Sequence, residues 1–369
     1  MIKIKKKRVF VALSGGVDSA AAAAILKEVF PASKKKGYGE SFRLTGVFAR
    51  LADTPRFKEG ERRAKKIAKI LKIPLLICDL KKEFKKKIIG YFLKEYKEGR
   101  TPNPCVVCNK EIKFGILLEK ALKNKKDFLA TGHYAILKEK RGGIHLYKAR
   151  DREKDQSYFL WDLSQKQLKK VLFPLGNYKK TEVKLLVQKL KLPFLDISES
   201  QEVCFIQKTV NDFLKKNLKK KTGKIIERAE GGKSKALGKH EGLWFYTIGQ
   251  RKGIGLSGGP YYVLEKNIKE NQLVVTKREK DLYKKEVLIR KVDWISGKSP
   301  KLPEKLKVKI RYRHKAAPAV LFYDKKNKYY RLKFKKEQRA ATPGQSAVFY
   351  LPDGRQDQKS ELLGGGIIC

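Results

Sequence analysis

The chain of 369 residues carries 88 lysines and arginines against 38 acidic residues, a formal net charge of +50. Hydrophobic residues make up 41% of it, which is enough to form cores and argues against wholesale disorder, and no apolar run is long enough to span a bilayer. The charge predicts an anionic partner such as nucleic acid, although lysines scattered along the whole chain are also typical of an ordinary solvated surface.

The beginning of the chain and its cysteines indicate a cytoplasmic protein. The apolar stretch near the N-terminus is too short for a signal peptide and runs directly into a glycine motif, so we interpret it as a strand. The cysteines are odd in number, so a structural disulfide framework is not expected. They are Cys78, Cys105, Cys108, Cys204 and Cys369.

The first third of the chain alternates strand-like and helix-like segments. We predict strands at 8–13, 44–48, 75–78 and 128–131, and helices at 19–29, 56–71, 84–97 and 109–122. Such alternation predicts a parallel sheet with helices on both faces, whose binding sites lie beyond the carboxyl ends of the strands. The fold class is therefore α/β.

After about residue 151 the pattern changes. Two helices are predicted at 164–171 and 179–190, and strands at 261–264, 272–276, 287–289, 307–312, 329–334 and 346–350. Several short strands favour a small barrel or sandwich, and we predict a C-terminal β-barrel. The expected domains are a catalytic domain at 1–205, a central domain at 206–285 and the barrel at 286–369.

The sharpest motif is SGGVDS, from Ser14 to Ser19, between a predicted strand and a predicted helix. Glycines let the backbone approach a phosphate group, which the N–H groups and the positive end of the helix then hold. The motif lacks the Gly-Lys-Ser/Thr ending of a Walker A loop. It resembles the pyrophosphate loop of the ATP pyrophosphatases, which adenylate a carbonyl oxygen, and by itself it does not separate members that act on small molecules from those that modify tRNA.

Residues 99–114 read GRTPNPCVVCNKEIKF. Two prolines predict an extended loop, with Cys108 directly before the helix predicted from Asn109. A cysteine at a helix N-terminus in basic surroundings should have a lowered pKa and be partly thiolate. The alternative is a structural zinc site, which would want a second pair of cysteines, and the sequence has no second C-x-x-C.

With these motifs the chain resembles the tRNA-specific 2-thiouridylases over nearly its whole length. The other landmarks are TGHYA from Thr131, KDQSYFL from Lys154, LGN from Leu175, EVCFI around Cys204, TIGQRKGIG from Thr247, GPYYV from Gly259, RYR from Arg311 and PGQ from Pro343. The resemblance implies an N-terminal PP-loop domain of the adenine-nucleotide α-hydrolase type. It also implies 2-thiolation of the wobble uridine (position 34) of tRNA, with release of AMP and pyrophosphate.

The resemblance assigns residues to this reaction. Cys108 would be the nucleophile and Cys204 would carry the persulfide; the two would either release sulfide or end as a disulfide. ATP would be bound by Ala12, Leu13, Ser14, Gly15, Gly16, Val17, Asp18, Ser19, Ala49 and Gly132. The target base and the rest of the tRNA would be contacted by Asn103, Pro104, Cys105, His133, Lys154, Asp155, Gln156, Arg311, Tyr312 and Gln345.

The resemblance also implies cofactors and partners. ATP with Mg²⁺ would supply the activating group, and the tRNA would be held by its phosphates. A sulfur donor protein, either a cysteine desulfurase or a sulfur-relay carrier, would load the persulfide. We expect a monomer that has no membrane contact.

Two positions depart from the family pattern. Cys105 stands where many members have an aspartate, which leaves the acid/base role of that position open. Cys105, Cys108 and Cys204 could instead hold three irons of a 4Fe–4S cluster, whose fourth iron would bind hydrosulfide. Ala49-Arg50-Leu51 replaces a Met-Lys-Asn-like run, so the adenine contact at Ala49 would be one of the backbone.

Two other functions remain as alternatives. The first is an adenylating enzyme of the same superfamily that acts on a small molecule and needs neither Cys108 nor Cys204. The second is a basic RNA-binding module with a decayed active site, against which the intact SGGVDS motif and both cysteines argue.

Overall fold

The structure, a computed structural model, describes residues 7–29, 42–192, 203–228, 234–352 and 360–369. Within these ranges, every helix is too short or too polar to cross a lipid bilayer. Residues 193–202, which precede the segment that carries Cys204, lie outside the described residues.

The N-terminal part is built on a five-stranded parallel sheet and a hairpin. Its strands are β1 (Lys7–Ala12), β2 (Phe42–Arg50), β3 (Leu75–Asp79), β4 (Phe128–Ala130), β5 (Ala135–Lys140), β6 (Gly143–Lys148) and β7 (Val171–Leu172). The spatial order of the parallel sheet is β3-β2-β1-β4-β7. Strands β2 and β3 are thus added on one side of β1, and β4 and β7 on the other side. In such sheets, ligands bind at the carboxyl ends of the strands where the strand order reverses.

Helices cover both faces of this sheet. Their segments are Val17–Ala24 with Ile25–Val29, Pro55–Ile70, Lys81–Phe84 with Lys85–Ile89 and Gly90–Lys97, Pro104–Cys108 with Asn109–Leu117 and Leu118–Lys123, Gln165–Leu168, Lys180–Lys189 and Val210–Asn217. The alanine run 20–24 is buried, because small side chains let the first helix lie close to its neighbours.

These elements confirm the predicted α/β fold, with two corrections. The helix predicted from Asn109 begins at Pro104, because proline is favoured in the first turn of a helix, where its missing N–H costs nothing. The helix predicted at 164–171 is limited to Gln165–Leu168, because Val171 and Leu172 pair with β4 and extend the sheet.

The middle of the chain forms a separate four-stranded sheet. Its strands are β8 (Gly223–Arg228), β9 (Ser234–His240), β10 (Tyr262–Asn267) and β11 (Gln272–Thr276), in the order β10-β11-β8-β9. Strands β8 and β11 are parallel, and the other neighbours are antiparallel. The predicted strand 272–276 is confirmed.

The C-terminal part is the predicted β-barrel. Its strands are β12 (Tyr283–Trp294), β13 (Glu304–Lys309), β14 (Ala317–Asp324), β15 (Tyr329–Arg339), β16 (Ser346–Tyr350) and β17 (Glu361–Ile368). They follow the order β12-β15-β14-β13-β16-β17, and pairing of β12 with β17 closes the barrel. The predicted strand 307–312 ends at Lys309, so Arg311 and Tyr312 lie after it.

The hairpin β5–β6 belongs to the N-terminal part in sequence but extends the barrel's sheet in space. Glu361 and Leu362 of β17 pair with Tyr147 and Leu146 of β6. The N-terminal part and the barrel therefore share one sheet of eight strands, which crosses the predicted boundaries. The division into domains at 205/206 and 285/286 stays a prediction.

Candidate active site

The glycine loop lies between the end of β1 and the helix Val17–Ala24. Gly15 has a φ of +80°, and a Cβ atom there would lie 2.4 Å from the carbonyl oxygen of Gly60, so only glycine fits. Ser19 Oγ donates to the carbonyl of Gly16 at 2.9 Å and accepts from the N–H of Ser14 at 3.1 Å. These bonds hold the loop in a compact turn at the positive end of the helix, an arrangement suited to an anion.

The other predicted ATP-binding residues meet this loop. Ala49 lies near the carboxyl end of β2, the parallel neighbour of β1. Gly132 follows β4, and a Cβ atom there would lie 2.8 Å from the carbonyl carbon of Asp18 and 2.9 Å from the nitrogen of Ser19. The structure thus brings residues 12–19, Ala49 and Gly132 to one end of the sheet. Their contact with ATP stays a prediction.

Asp18 has two partners that sequence reasoning missed. The hydroxyl of Tyr134 donates to Asp18 Oδ1 at 2.7 Å, and Lys180 Nζ donates to the same oxygen at 2.6 Å. Lys180 is only 8% exposed and opens the helix Lys180–Lys189. A buried ammonium group needs a compensating negative charge, which Asp18 supplies. Tyr134 stands in the TGHYA motif, whereas Lys180 carries no local sequence signal.

Cys105, Cys108 and Cys204 form one cluster of thiols, close enough for the charge of Cys204 to raise the pKa of both others. Burial is the larger effect: it raises the pKa of Cys108 to about 12 and that of Cys105 to about 11, and it also raises the pKa of Cys204. The predicted lowering of the Cys108 pKa is therefore wrong for this structure. Cys108 is 7% exposed and lies within a helix that has already begun at Pro104.

The iron–sulfur alternative concerns the same three cysteines and stays a prediction. Among the residues that the structure describes, no group of three or more histidine, cysteine or acidic side chains is placed to hold a metal ion. All five cysteines are free thiols. The arrangement allows thiol chemistry between neighbouring cysteines.

A lysine faces this cluster. Lys113 lies in the π-helical segment Asn109–Leu117, and its charge opposes the effect of burial on the pKa of all three thiols. Its Nζ is 3.4 Å from Nε2 of His133, and Nδ1 of that histidine is 2.7 Å from Thr131 Oγ1. Burial, reinforced by the charge of Lys113, holds the pKa of His133 well below its ordinary value, so the imidazole is neutral.

Phe205, the residue after Cys204, holds the Cys204 segment in place. Phe205 makes edge-on ring contacts with Phe84, Phe92 and Phe213, with centroid distances of 5.8, 5.2 and 5.2 Å. Ile206 N–H donates to the carbonyl of Val203 at 3.0 Å, which closes a turn around the cysteine. Aromatic packing thus holds Cys204 against the core that carries Cys108.

The barrel reaches the C-x-x-C loop directly. Gln345 Nε2 donates to the carbonyl of Thr101 at 2.8 Å, and the N–H of Thr101 donates to the carbonyl of Pro343 at 2.8 Å. Arg311 donates through one guanidinium nitrogen to the carbonyls of Ile248 and Ala340, at 3.0 Å each. Two predicted tRNA-contacting residues, Gln345 and Arg311, therefore hold parts of the protein together.

The remaining predicted tRNA-contacting residues are divided between surface and interior. Asp155 is buried and His133 nearly so, and Gln156 Oε1 accepts from the N–H of Tyr134 at 3.1 Å. Lys154, Tyr312, Asn103 and Cys105 are half-buried, and Pro104 is buried. The contact of each with RNA stays a prediction.

Three family models cover the chain. The descriptions are "tRNA methyl transferase HUP domain" for residues 7–208, "tRNA methyl transferase PRC-barrel domain" for residues 211–277 and "Aminomethyltransferase beta-barrel domain" for residues 284–368. The first match spans the parallel sheet and the cysteine cluster.

Curated relatives match over their full length. The tRNA-specific 2-thiouridylase MnmA 1 of Clostridium tetani is 38% identical, over 100% of this chain and 98% of its own. MnmA 2 of Thermoanaerobacter sp. (strain X514) is 42% identical, over 98% and 97%. Among solved structures, the U34-tRNA thiolase NcsA from Methanococcus maripaludis with its 4Fe–4S cluster is 22% identical with a TM-score of 0.36, and covers 55% of this chain and 63% of its own.

Proposed function

The chain belongs to the tRNA-specific 2-thiouridylase family, and on that premise we propose that it replaces the C2 oxygen of the wobble uridine, position 34, with sulfur from a persulfide on Cys204. The observation that carries the proposal is the clustering of Cys108 and Cys204, which are far apart in sequence, in the domain that holds the glycine loop. An adenylating enzyme for small molecules would need neither thiol.

The first step is activation of a poor electrophile. The C2 oxygen of the uridine attacks the α-phosphorus of ATP, pyrophosphate leaves, and the C2–O bond now carries AMP as a leaving group. The loop 14–19 would hold the phosphates through its backbone, and Lys180 would add a positive charge beside them. Mg²⁺ takes one or two carboxylates together with phosphate oxygens, so Asp18 suits it.

The second step moves sulfur. The terminal sulfur of the Cys204 persulfide attacks C2, a C–S bond forms, and AMP leaves with the electron pair of the C–O bond. The Cys108 thiolate then attacks the Sγ atom of Cys204, the bond to the transferred sulfur breaks, and the products are C2=S and a Cys108–Cys204 disulfide. In the alternative order, Cys108 attacks the persulfide first and releases hydrosulfide, which attacks C2.

Both orders leave a disulfide and an unloaded Cys204. A thiol reductant must therefore reduce the Cys108–Cys204 bond, and a sulfur donor protein must transfer a new sulfur to Cys204. A cysteine desulfurase or a sulfur-relay carrier has the chemistry to do this. We place the cycle in the cytoplasm, with a monomeric enzyme.

Charge near the thiols must stabilise the persulfide and thiolate anions. We assign this role to Lys113, since its charge favours the anionic form of all three thiols. Cys105 stays protonated at neutral pH, because burial raises its pKa to about 11, so it cannot be the base that an aspartate would be at that position. A neutral His133 beside Lys113 can accept a hydrogen bond from its ammonium group, which leaves the positive charge on the lysine.

Mass spectrometry of tRNA nucleosides after incubation with ATP, a sulfur source and the protein tests the function. We expect 2-thiouridine at position 34 together with AMP and pyrophosphate. Cys204→Ser should abolish thiolation while the affinity for tRNA stays within about twofold, because the hydroxyl cannot carry sulfane sulfur. Cys369→Ser, at an exposed thiol, is the matched control. Thiolation by Cys204→Ser at the rate of the control would overturn the proposal.

A further inference from the structure

Two half-buried lysines lie where the hairpin β5–β6 meets the barrel. Lys148 ends β6, and Lys309 ends β13. Between them run β17 and β16, and the N–H of Lys148 donates to the carbonyl of Ser360 at 3.2 Å. Both side chains lie on the outer face of the barrel, together with Tyr350, which packs against the N-terminal core.

Aromatic rings support both ammonium groups. Lys148 Nζ is 4.0 Å from the centroid of the Tyr350 ring. Lys309 Nζ is 5.4 Å from the centroid of Tyr312 and 5.8 Å from that of Tyr158. Ring faces attract a cation without neutralising it, so the positive charge remains available to another molecule.

The carboxylate near these lysines is already engaged. Asp155 Oδ1 accepts from the N–H of Ala149 at 3.0 Å and from that of Ser157 at 3.2 Å, and Oδ2 accepts from Ser157 Oγ at 2.9 Å. Its own pKa is raised by burial, against these hydrogen bonds. Asp155 therefore compensates only part of the surrounding positive charge.

Several cations and one carboxylate act on Lys148. Burial lowers its pKa to about 8; of the nearby charges, Asp155 acts most strongly and raises the pKa, while Lys309, Arg152 and Lys307 lower it. Burial likewise lowers the pKa of Lys309. Crowded, partly desolvated cations of one sign are unfavourable until an anion joins them.

We propose that Lys148 and Lys309 together bind one phosphodiester group of the RNA, on the outer face of the barrel beside Tyr312. The centroid of the Tyr312 ring lies 4.5 Å from that of the Phe159 ring, and both side chains are partly exposed. A phosphate flanked by an aromatic face fits a nucleotide unit better than a free inorganic anion. The inference rests on the proposed function and adds a site to it.

Salt-dependent tRNA binding tests the inference, because each lost phosphate contact lowers the slope of log K against log salt by about 0.7 to 0.9. We expect the double variant Lys148→Met, Lys309→Met to lose about 0.8 from this slope, the value for one phosphate, and to bind tRNA roughly tenfold more weakly at about 150 mM salt. Lys148→Arg with Lys309→Arg should keep the wild-type slope. Lys325→Met with Lys326→Met, in the exposed turn after β14, is the charge-matched control.

The outcomes separate this site from the proposed function. A Lys148→Met, Lys309→Met variant with the slope of the Lys325→Met, Lys326→Met control would overturn the site, even if the wild type thiolates tRNA. Saturable binding of inorganic phosphate by the wild type, lost in the double variant without any change in the tRNA slope, would also overturn it. A wild type that binds tRNA with the expected slope but forms no 2-thiouridine would overturn the function alone. An unchanged affinity for ATP shows that the variants are folded.

Discussion

Lys180 Nζ lies 2.6 Å from Oδ1 of Asp18, so the one carboxylate of the SGGVDS motif is already paired with a buried cation before any nucleotide binds. Tyr134 donates to the same oxygen, which fixes the direction of the carboxylate. If the loop holds ATP as proposed, the Lys180 ammonium group can shift from the Asp18 carboxylate to a phosphate oxygen.

Replacing this lysine should impair activation of the uridine. We expect Lys180→Met to lower the rate of tRNA-dependent pyrophosphate release by about 10- to 100-fold, the range that corresponds to one charge-assisted hydrogen bond. Lys189→Met, at the exposed end of the same helix, should have no effect. Pyrophosphate release at the control rate would remove Lys180 from the reaction.

The buried thiols should react slowly with an alkylating agent. Since burial raises the pKa of Cys108 to about 12, roughly one thiol in ten thousand is deprotonated at about pH 8, and labelling should rise with pH from about 7 to about 10 without a plateau. Peptide mass spectrometry should find exposed Cys369 labelled first, then Cys105, then Cys108. A plateau for Cys108 below about pH 9 would contradict the burial that the structure describes.

Iron should not be needed. Protein purified without oxygen should be colourless and should thiolate tRNA, because the described cysteines are not placed to share a metal. Cys105→Asp sharpens the test, since it returns the residue that many family members have while it removes one of the three thiols that a cluster would need. We expect this variant to keep most of the thiolation activity. A brown protein whose activity follows its iron content, and is lost in Cys105→Asp, would instead favour the cluster.

Gln345 should act on the catalytic loop as well as on any RNA. Gln345→Glu removes the N–H donor to Thr101 and places a carboxylate against a carbonyl group, so we expect thiolation to fall about tenfold. The loosened loop should also let Cys105 be alkylated about threefold faster without tRNA. Gln188→Glu, on an exposed helix position, controls for the added charge. If tRNA-free alkylation stays at the wild-type rate, Gln345 does not position the loop.

Local signals predicted the sheet and the glycine loop, because each depends on residues that are neighbours in sequence. Gly15 has a positive φ and lies close to Gly60. A glycine between a predicted strand and a predicted helix indicates such a conformation from the sequence alone. The barrel was predicted from short strands, but β14 and β17 were missed; in β17 the three consecutive glycines weaken the strand pattern.

Long-range partners could not be predicted in the same way. Lys180 and Tyr134 are 162 and 116 residues away from Asp18 in the sequence. The residues around them do not indicate that either side chain contacts Asp18. The pKa of Cys108 was predicted in the wrong direction, because the start of its helix was placed five residues too late and its burial depends on distant side chains. The residue at which a helix begins and the extent to which a thiol is buried both depend on tertiary packing.

The pairing of β6 with β17 of the barrel has a consequence for any attempt to divide the protein into fragments. A fragment that stops near residue 205 would keep β5 and β6 but lose β17, so the backbone groups of β6 that pair with Glu361 and Leu362 would face solvent. An open strand edge of this kind recruits other chains and favours aggregation. By pairing with β6, strand β17 thus covers an edge of the N-terminal part. We expect a fragment without β17 to be less soluble than the full chain.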